Sequence, residues 1–158
     1  MKSIPVSQLL KEKKIFHIIN PRLVQTSPET SLKQAVCLMQ ENRSGYVVIV
    51  KNQKPVGIFT EVDVVRKILG KKADWKRPVS DWMTPDPVVL SPEDSVGKAI
   101  DLMAERRFYH IPLVDRKGNL TGMLSVRSLI RFLAEFYPTE VYNLPPCPHQ
   151  VHETREGG

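Results

Sequence analysis

Ser27-Pro28-Glu29-Thr30-Ser31 returns 64 residues later as Ser91-Pro92-Glu93-Asp94-Ser95. The match runs on through Ala35/Ala99, Leu38/Leu102, Met39/Met103 and Glu41/Glu105, eight identities in the fifteen positions 27–41. A repeat of this density organises the whole chain and has to be found before any element is assigned. Upstream, Pro21 and Val24 pair with Pro85 and Val88 at the same offset. Downstream the offset becomes 65, with Gly57 facing Gly122 and Arg66 facing Arg131, so one residue has been gained near Arg107. The chain is a duplicated unit of about fifty residues, 20–69 and 84–134.

Each copy reads alike. A short strand (Leu23-Val24-Gln25 or Val88-Val89-Leu90) precedes the Ser-Pro-Glu signal, which predicts a helix with Ser27 or Ser91 as N-cap and Pro at the first helical position. The helix faces are Leu32, Ala35, Val36, Met39 and Val96, Ala99, Ile100, Met103, spaced i, i+3, i+4, i+7. Two strands follow, 46–50 and 56–59 in one copy, 111–115 and 120–124 in the other, the latter joined through Lys117-Gly118-Asn119. A second helix closes each unit, with Val62, Val65, Ile68, Leu69 or Val126, Leu129, Ile130, Leu133. The pattern is β-α-β-β-α, twice: an α+β sandwich of two units related by a pseudo-twofold axis. One unit alone buries little surface, so the two are expected to pack sheet against sheet, with a cleft on each side of the axis.

The 158 residues carry a formal net charge of +6, with 41% hydrophobic and 25% charged residues. That composition excludes wholesale disorder. The longest apolar run, 46–50, is far short of a membrane span. No secretory signal is visible, and a cytoplasmic protein is the expectation. Cys37 and Cys147 make no disulfide framework. The basic residues cluster: five of 23 lie in 1–22 and six in 66–77. Outside the repeats are residues 1–19 (a helix around Leu9-Leu10 plus a connector), a basic linker 70–83 with Trp75 and Trp82, and a Pro-rich tail 135–158.

The chemistry concentrates at the end of the first unit's last strand, Gly57-Ile58-Phe59-Thr60-Glu61-Val62-Asp63. Glycine permits close approach of a ligand or of backbone. Thr60 stands at a helix start, where a hydroxyl and free N–H groups suit phosphate. Asp63, in the first turn, offers a carboxylate to two vicinal hydroxyls such as those of a ribose. The same spacing equally describes a capping box.

Two β-α-β-β-α units ending in Gly-h-h-[Thr/Ser] and a helix resemble a tandem pair of CBS domains, a Bateman module. Residues 83–88 and 107–115 also look like that family's domain start and its apolar-Pro-apolar strand. The resemblance covers about 115 of the 158 residues. The family pattern for adenosyl ligands, Gly-h-x-[Thr/Ser]-x-x-[Asp/Asn], matches at every position of residues 57–63. It implies that Asp63 holds a ribose and Thr60 a phosphate, with Gly57 and Ile58 on the same strand. It places the base among Val24, Thr26, Gly45, Tyr46 and Val47, and sets Arg107 and His110 across the cleft at the phosphates. Tyr46 could equally be a half-buried sheet tyrosine, and His110 a strand cap.

The second copy departs from the pattern: Gly122 and Ser125 are kept, but Ser128 stands where the acid belongs. A hydroxyl makes a weaker bond than a carboxylate. Thr84, Ser125, Arg127 and Ser128 therefore make an altered, weaker second site, with Arg127 either a solvated helix charge or an anion partner.

No nucleophile–base pair and no Walker-type loop can be assembled. Cys147, His149 and His152 are too few and too loosely placed for a metal site. The expectation is a module with no catalytic activity, cofactor or metal, binding AMP, ADP, ATP or S-adenosylmethionine as a regulatory ligand. The resemblance further implies a homodimer, and the expectation is that the module acts on a separate protein target or works as a stand-alone sensor. The alternative is a nucleic-acid-binding protein using the basic linker and N-terminus, with Trp75 and Trp82 stacking on bases rather than pinning the linker.

Overall fold

The computed structural model describes residues 5–19 and 22–137. In each half a serine starts the first helix, but four residues beyond the expected position. Helix α2 (Leu32–Glu41) is capped by Ser31, whose hydroxyl accepts the Gln34 N–H while the Gln34 side chain accepts the Ser31 N–H. Helix α4 (Val96–Arg106) is capped by Ser95 through the Lys98 N–H. The Ser-Pro-Glu stretches form turns, and the reason lies in what they bond. The carbonyls of Pro28 and Thr30 accept N–H groups of Ser80 and Val79, and those of Pro92 and Asp94 accept N–H groups of Phe16 and Ile15. Carbonyls held from outside in this way are not free to build a helical turn.

Those bonds reveal an exchange between the halves. Ile15 and Val79, 64 residues apart, each sit in a short 3-10 turn, Ile15–His17 and Val79–Asp81, and both are fully buried. Ile15 precedes the first copy but packs in the second copy's core, whereas Val79 precedes the second copy and packs in the first. The N-terminal helix α1 (Val6–Glu12) lies with Ile15 on the second half, contacting α4 and burying Leu9.

Strands β2 (Tyr46–Lys51) and β3 (Lys54–Thr60) form an antiparallel hairpin whose two turn residues, Asn52 and Gln53, both have positive φ, as a tight primed turn demands. Strand β1 (Gln25–Thr26) runs parallel to β2, and β4 (Thr84–Pro85) joins β3 from the far side. The first sheet is therefore β1-β2-β3-β4, with its last strand supplied by the start of the second copy. In the second half β5 (His110–Val114) pairs with β6 (Leu120–Ser125) across a turn closed by the Asp115 carboxylate and Gly118 at φ 83°. The expected strand at residues 88–90 contributes a single parallel bridge, Leu90 to Leu113.

Gly57 and Gly122 receive their explanation from the exchange. A Cβ on Gly57 would lie 2.1 Å from the Met83 sulfur, and one on Gly122 would lie 3.0 Å from Ile19 Cγ2. Met83 and Ile19 are again 64 apart. Gly57 was expected to admit a ligand or backbone; the neighbour it admits is the segment that crosses from the other copy.

The halves meet through their sheets. Met123 of β6 is buried in the first core, and the Leu120 N–H donates to the Gln53 carbonyl at 2.8 Å. The closing helices differ. Helix α5 (Val126–Phe136) is a regular helix that runs two residues into the segment expected to be tail. Its counterpart is one helical turn, α3 (Glu61–Asp63), continued as a π-helix over Val64–Ile68. Trp82 packs against the first core, while Trp75 is exposed and its carbonyl accepts the Lys33 N–H. The remainder of the tail, with Cys147, His149 and His152, lies outside the described residues. No helix among the described residues is long and apolar enough to cross a membrane, and among them no cluster of metal-ligating side chains occurs.

Candidate functional site

A cleft of about 390 Å³ opens where the two halves meet. Sequence-equivalent ends line it from both sides: Gly45 and Tyr46 at the start of β2, His110 at the start of β5, Glu61 at the start of α3, and Ser125 with Arg127 at the start of α5. The first strand of each hairpin begins, and each closing helix starts, at this cleft, so the duplication itself builds it. Of the residues singled out from the sequence, the cleft gathers Val24, Gly45, Tyr46, His110, Ser125 and Arg127.

Tyr46 is buried, and its hydroxyl donates to the Arg22 carbonyl at 3.1 Å. Burial holds the phenol above its ordinary pKa. Its ring lies 5.0 Å from the His110 imidazole, tilted by 45°. Tyr46 is thus a packed sheet tyrosine that supports His110. Burial, with the Arg127 charge adding to it, pushes His110 down to about 4, so the imidazole is neutral at neutral pH.

Asp63 and Thr60 are together, but engaged with each other. One Asp63 oxygen accepts the Thr60 N–H at 2.9 Å and the Thr60 hydroxyl at 3.2 Å. The other pairs with Lys67 Nζ at 2.7 Å. Lys67 also donates to the Trp82 carbonyl at 2.6 Å, tying the motif to the crossing segment. The capping-box geometry is therefore present, and neither residue lines the cleft. Glu61, between them, does.

In the second half Ser128 takes the place of the acid. Its hydroxyl shares a 3.0 Å bond with Ser125, and its N–H donates to Ser125 Oγ. The counterpart of Lys67 is Phe132, and a smaller cavity of about 210 Å³ opens there, bordered by Ser128, Arg131, Phe132 and Ile18.

The remaining predicted residues stand elsewhere. The Thr26 hydroxyl bonds to Thr30, Val47 is fully buried in the first core, and Ile58 is half-buried beside it. Thr84 pairs with Ile58 at the sheet edge. Arg107 ends α4 in the left-handed region and is exposed away from the cleft. Its counterpart Arg43, which follows α2 at φ 48°, does line the cleft and was missed from the sequence, as were Arg22, Glu61 and Tyr109. The signal was available. Arg43 and Arg107 occupy equivalent positions, and of the two Arg43 lines the cleft.

The basic stretch that suggested nucleic acid is partly spent on internal bonds. Lys67 pairs with Asp63, Lys71 donates to the Arg66 carbonyl, and Arg77 pairs with Asp81 at 2.6 Å.

The sequence model of the family described as "CBS domain" matches residues 15–70 and 79–135. Its two matches start at Ile15 and Val79, the residues exchanged between the cores. The chain is 30% identical over 125 residues to an uncharacterized 17.7 kDa protein of Acidianus ambivalens, 78% of this chain and 75% of that one. It is 30% identical over 116 residues to an inosine-5'-monophosphate dehydrogenase of Aquifex aeolicus, 72% of this chain but 23% of that enzyme. Among solved structures, CBSX2 in complex with AMP superposes with a TM-score of 0.65 at 25% identity, covering 77% of this chain and 96% of that one.

Proposed function

The chain belongs to the CBS-domain family, with two domains in tandem, and on that premise we propose that it is a non-catalytic regulatory module. It binds an adenine nucleotide, of the AMP, ADP or ATP type, in the cleft between its halves. Tandem CBS pairs are in general regulatory modules, and a relative of the same fold carries AMP. The observation that carries the reading is the cleft itself. Its volume of about 390 Å³ lies in the range of about 300–1,000 Å³ usual for small-molecule sites. Both halves line it, so a ligand that contacts both biases how they sit, which is the physical content of sensing.

In this reading Asp63 holds the ribose and Thr60 a phosphate. The Asp63 oxygen now held by Lys67 exchanges that ammonium for ribose hydroxyls, and the Lys67–Trp82 tie is released with it. Ser125 and His110 face the phosphates, and the second site around Ser128 is the weaker one. Val65, Leu69 and Ile130 are 62%, 62% and 54% exposed. Val65 and Ile130 lie on the two closing helices and are equivalent in the repeat, and Leu69 directly follows the first of these helices. We assign them to a homodimer interface. The protein acts in the cytoplasm on a separate target.

Calorimetric titration with AMP, ADP, ATP and S-adenosylmethionine tests the reading, repeated with Asp63→Asn. At least one nucleotide should bind saturably. The variant should lose about 1.5–3 kcal/mol, the worth of hydrogen bonds to a charged group. Unchanged affinity in Asp63→Asn removes the carboxylate from the site. Heat-silent mixing with every adenosyl compound removes the function.

A further inference from the structure

We infer that the cleft reads the length of the ligand's phosphate chain, through Arg43 of the first half and Arg127 of the second. The inference rests on the nucleotide reading above and goes further, to which nucleotide is preferred. The two guanidiniums line one cleft and come from opposite sides of the pseudo-twofold axis. Neither takes part in an ion pair among the described residues. Among the described residues Glu61 is the one carboxylate in the lining, and His110 is uncharged at neutral pH. The cleft therefore carries an excess of positive charge.

Both arginines stand where the backbone alone would choose something else. Arg43 follows α2 at φ 48°, the left-handed position that glycine or asparagine fills most readily. Arg127 occupies the first turn of α5, where the helix dipole favours an acid over a cation. An anion between them offsets the cost at Arg127. A planar guanidinium engages phosphate oxygens through two parallel N–H bonds. A di- or triphosphate offers each fork a phosphate of its own, whereas a monophosphate has to be shared between them. The prediction is that ADP and ATP bind more tightly than AMP, and that a bound triphosphate draws the two halves together.

The test is calorimetry on the full chain, in chelator and at fixed ionic strength, with AMP, ADP, ATP and inorganic tripolyphosphate. Wild type is compared with Arg127→Gln, Arg43→Gln and Arg43→Gly. The last suits the left-handed backbone, so it keeps the fold while deleting the side chain. ATP should bind at least tenfold more tightly than AMP. Each variant should lose at least tenfold for ATP and less for AMP, so the ratio falls toward one. AMP binding as tightly as ATP in wild type overturns the inference and leaves the nucleotide reading standing. So does an ATP preference that survives both Arg43→Gly and Arg127→Gln. Tripolyphosphate binding that needs both arginines, with no nucleotide bound, keeps the phosphate clamp and overturns the nucleotide reading. Silence with all four probes overturns both.

Discussion

Lys67 and Asp63 form an ion pair across one turn of the closing helix, Nζ to Oδ1 at 2.7 Å, and the same ammonium holds the Trp82 carbonyl at 2.6 Å. The first half thus carries its own cation on the carboxylate expected to meet a ribose. The second half, with Ser128 and Phe132 at the equivalent places, carries neither partner.

Lys67→Met separates the two roles of this pair. It removes a partly exposed ion pair and the tie to the Trp82 carbonyl, so stability should fall by about 1–2 kcal/mol, read from the chemical denaturation midpoint. Because Asp63 no longer has to give up an ammonium, AMP affinity should rise several-fold in the same variant. A fall in affinity would mean that Lys67 itself grips the ligand.

His110 makes stability depend on pH. Its folded pKa of about 4 lies below the ordinary 6.5, because burial and Arg127 disfavour the imidazolium. The unfolded chain therefore binds the proton more readily between those values. Stability from this group is complete above about pH 6.5 and is lost as the pH falls to about 4, by up to about 3 kcal/mol. Tyr46 packs against the imidazole and stays neutral throughout this window, and Glu61 and Tyr109 share the cleft. Thermal melts at pH 7 and pH 4.5 should differ more in wild type than in His110→Phe.

An anion in the cleft should raise the His110 pKa toward its ordinary value, since a nearby negative charge favours the imidazolium. Nucleotide binding near pH 5 should then take up protons and strengthen as the pH falls. Calorimetric heats that vary with the buffer's ionisation enthalpy at pH 5, and not at pH 8, would show it.

Gly57→Ala forces its methyl into the Met83 sulfur, 2.1 Å from the Cβ position. The thioether is flexible, so the expected cost is about 1–3 kcal/mol rather than loss of the fold. Met83→Ala in the same chain should recover part of it, and the double-mutant cycle measures the coupling. Gly122→Ala, against Ile19 at 3.0 Å, should cost less.

The apolar side chains of the closing helices test assembly. Light scattering should give twice the 18.0 kDa chain mass for wild type. Val65→Lys with Ile130→Lys should give one chain mass, since a lysine at each equivalent position charges the surface a dimer would bury. An 18.0 kDa wild type would remove the dimer.

Repeat and periodicity made most of this fold readable. Leu32, Ala35 and Met39, with Val96, Ala99 and Met103, are buried as their spacing required. The helix caps were misread because Pro28 and Pro92 resemble first helical residues locally. What places them in turns is hydrogen bonding from residues 49 to 79 positions away in sequence, Ile15, Phe16, Val79 and Ser80. The same long-range exchange hid the identity of the fourth strand, Thr84–Pro85, and the reason for Gly57. At the site, the motif spacing found Thr60 and Asp63 but could not say whether they face a ligand or each other. A capping box and a ribose grip use the same atoms. Arg43 escaped notice because nothing in its own neighbourhood marks it; only its counterpart Arg107, 64 residues on, does.

The most direct test of a nucleotide site between the halves is a crystal structure of the chain grown with ATP or AMP. The account predicts density for a nucleotide in the cleft, with its phosphates beside Ser125, Arg127 and Arg43 and its ribose toward Asp63. An empty cleft at saturating nucleotide, or a purine bound away from both halves' helix starts, would contradict it.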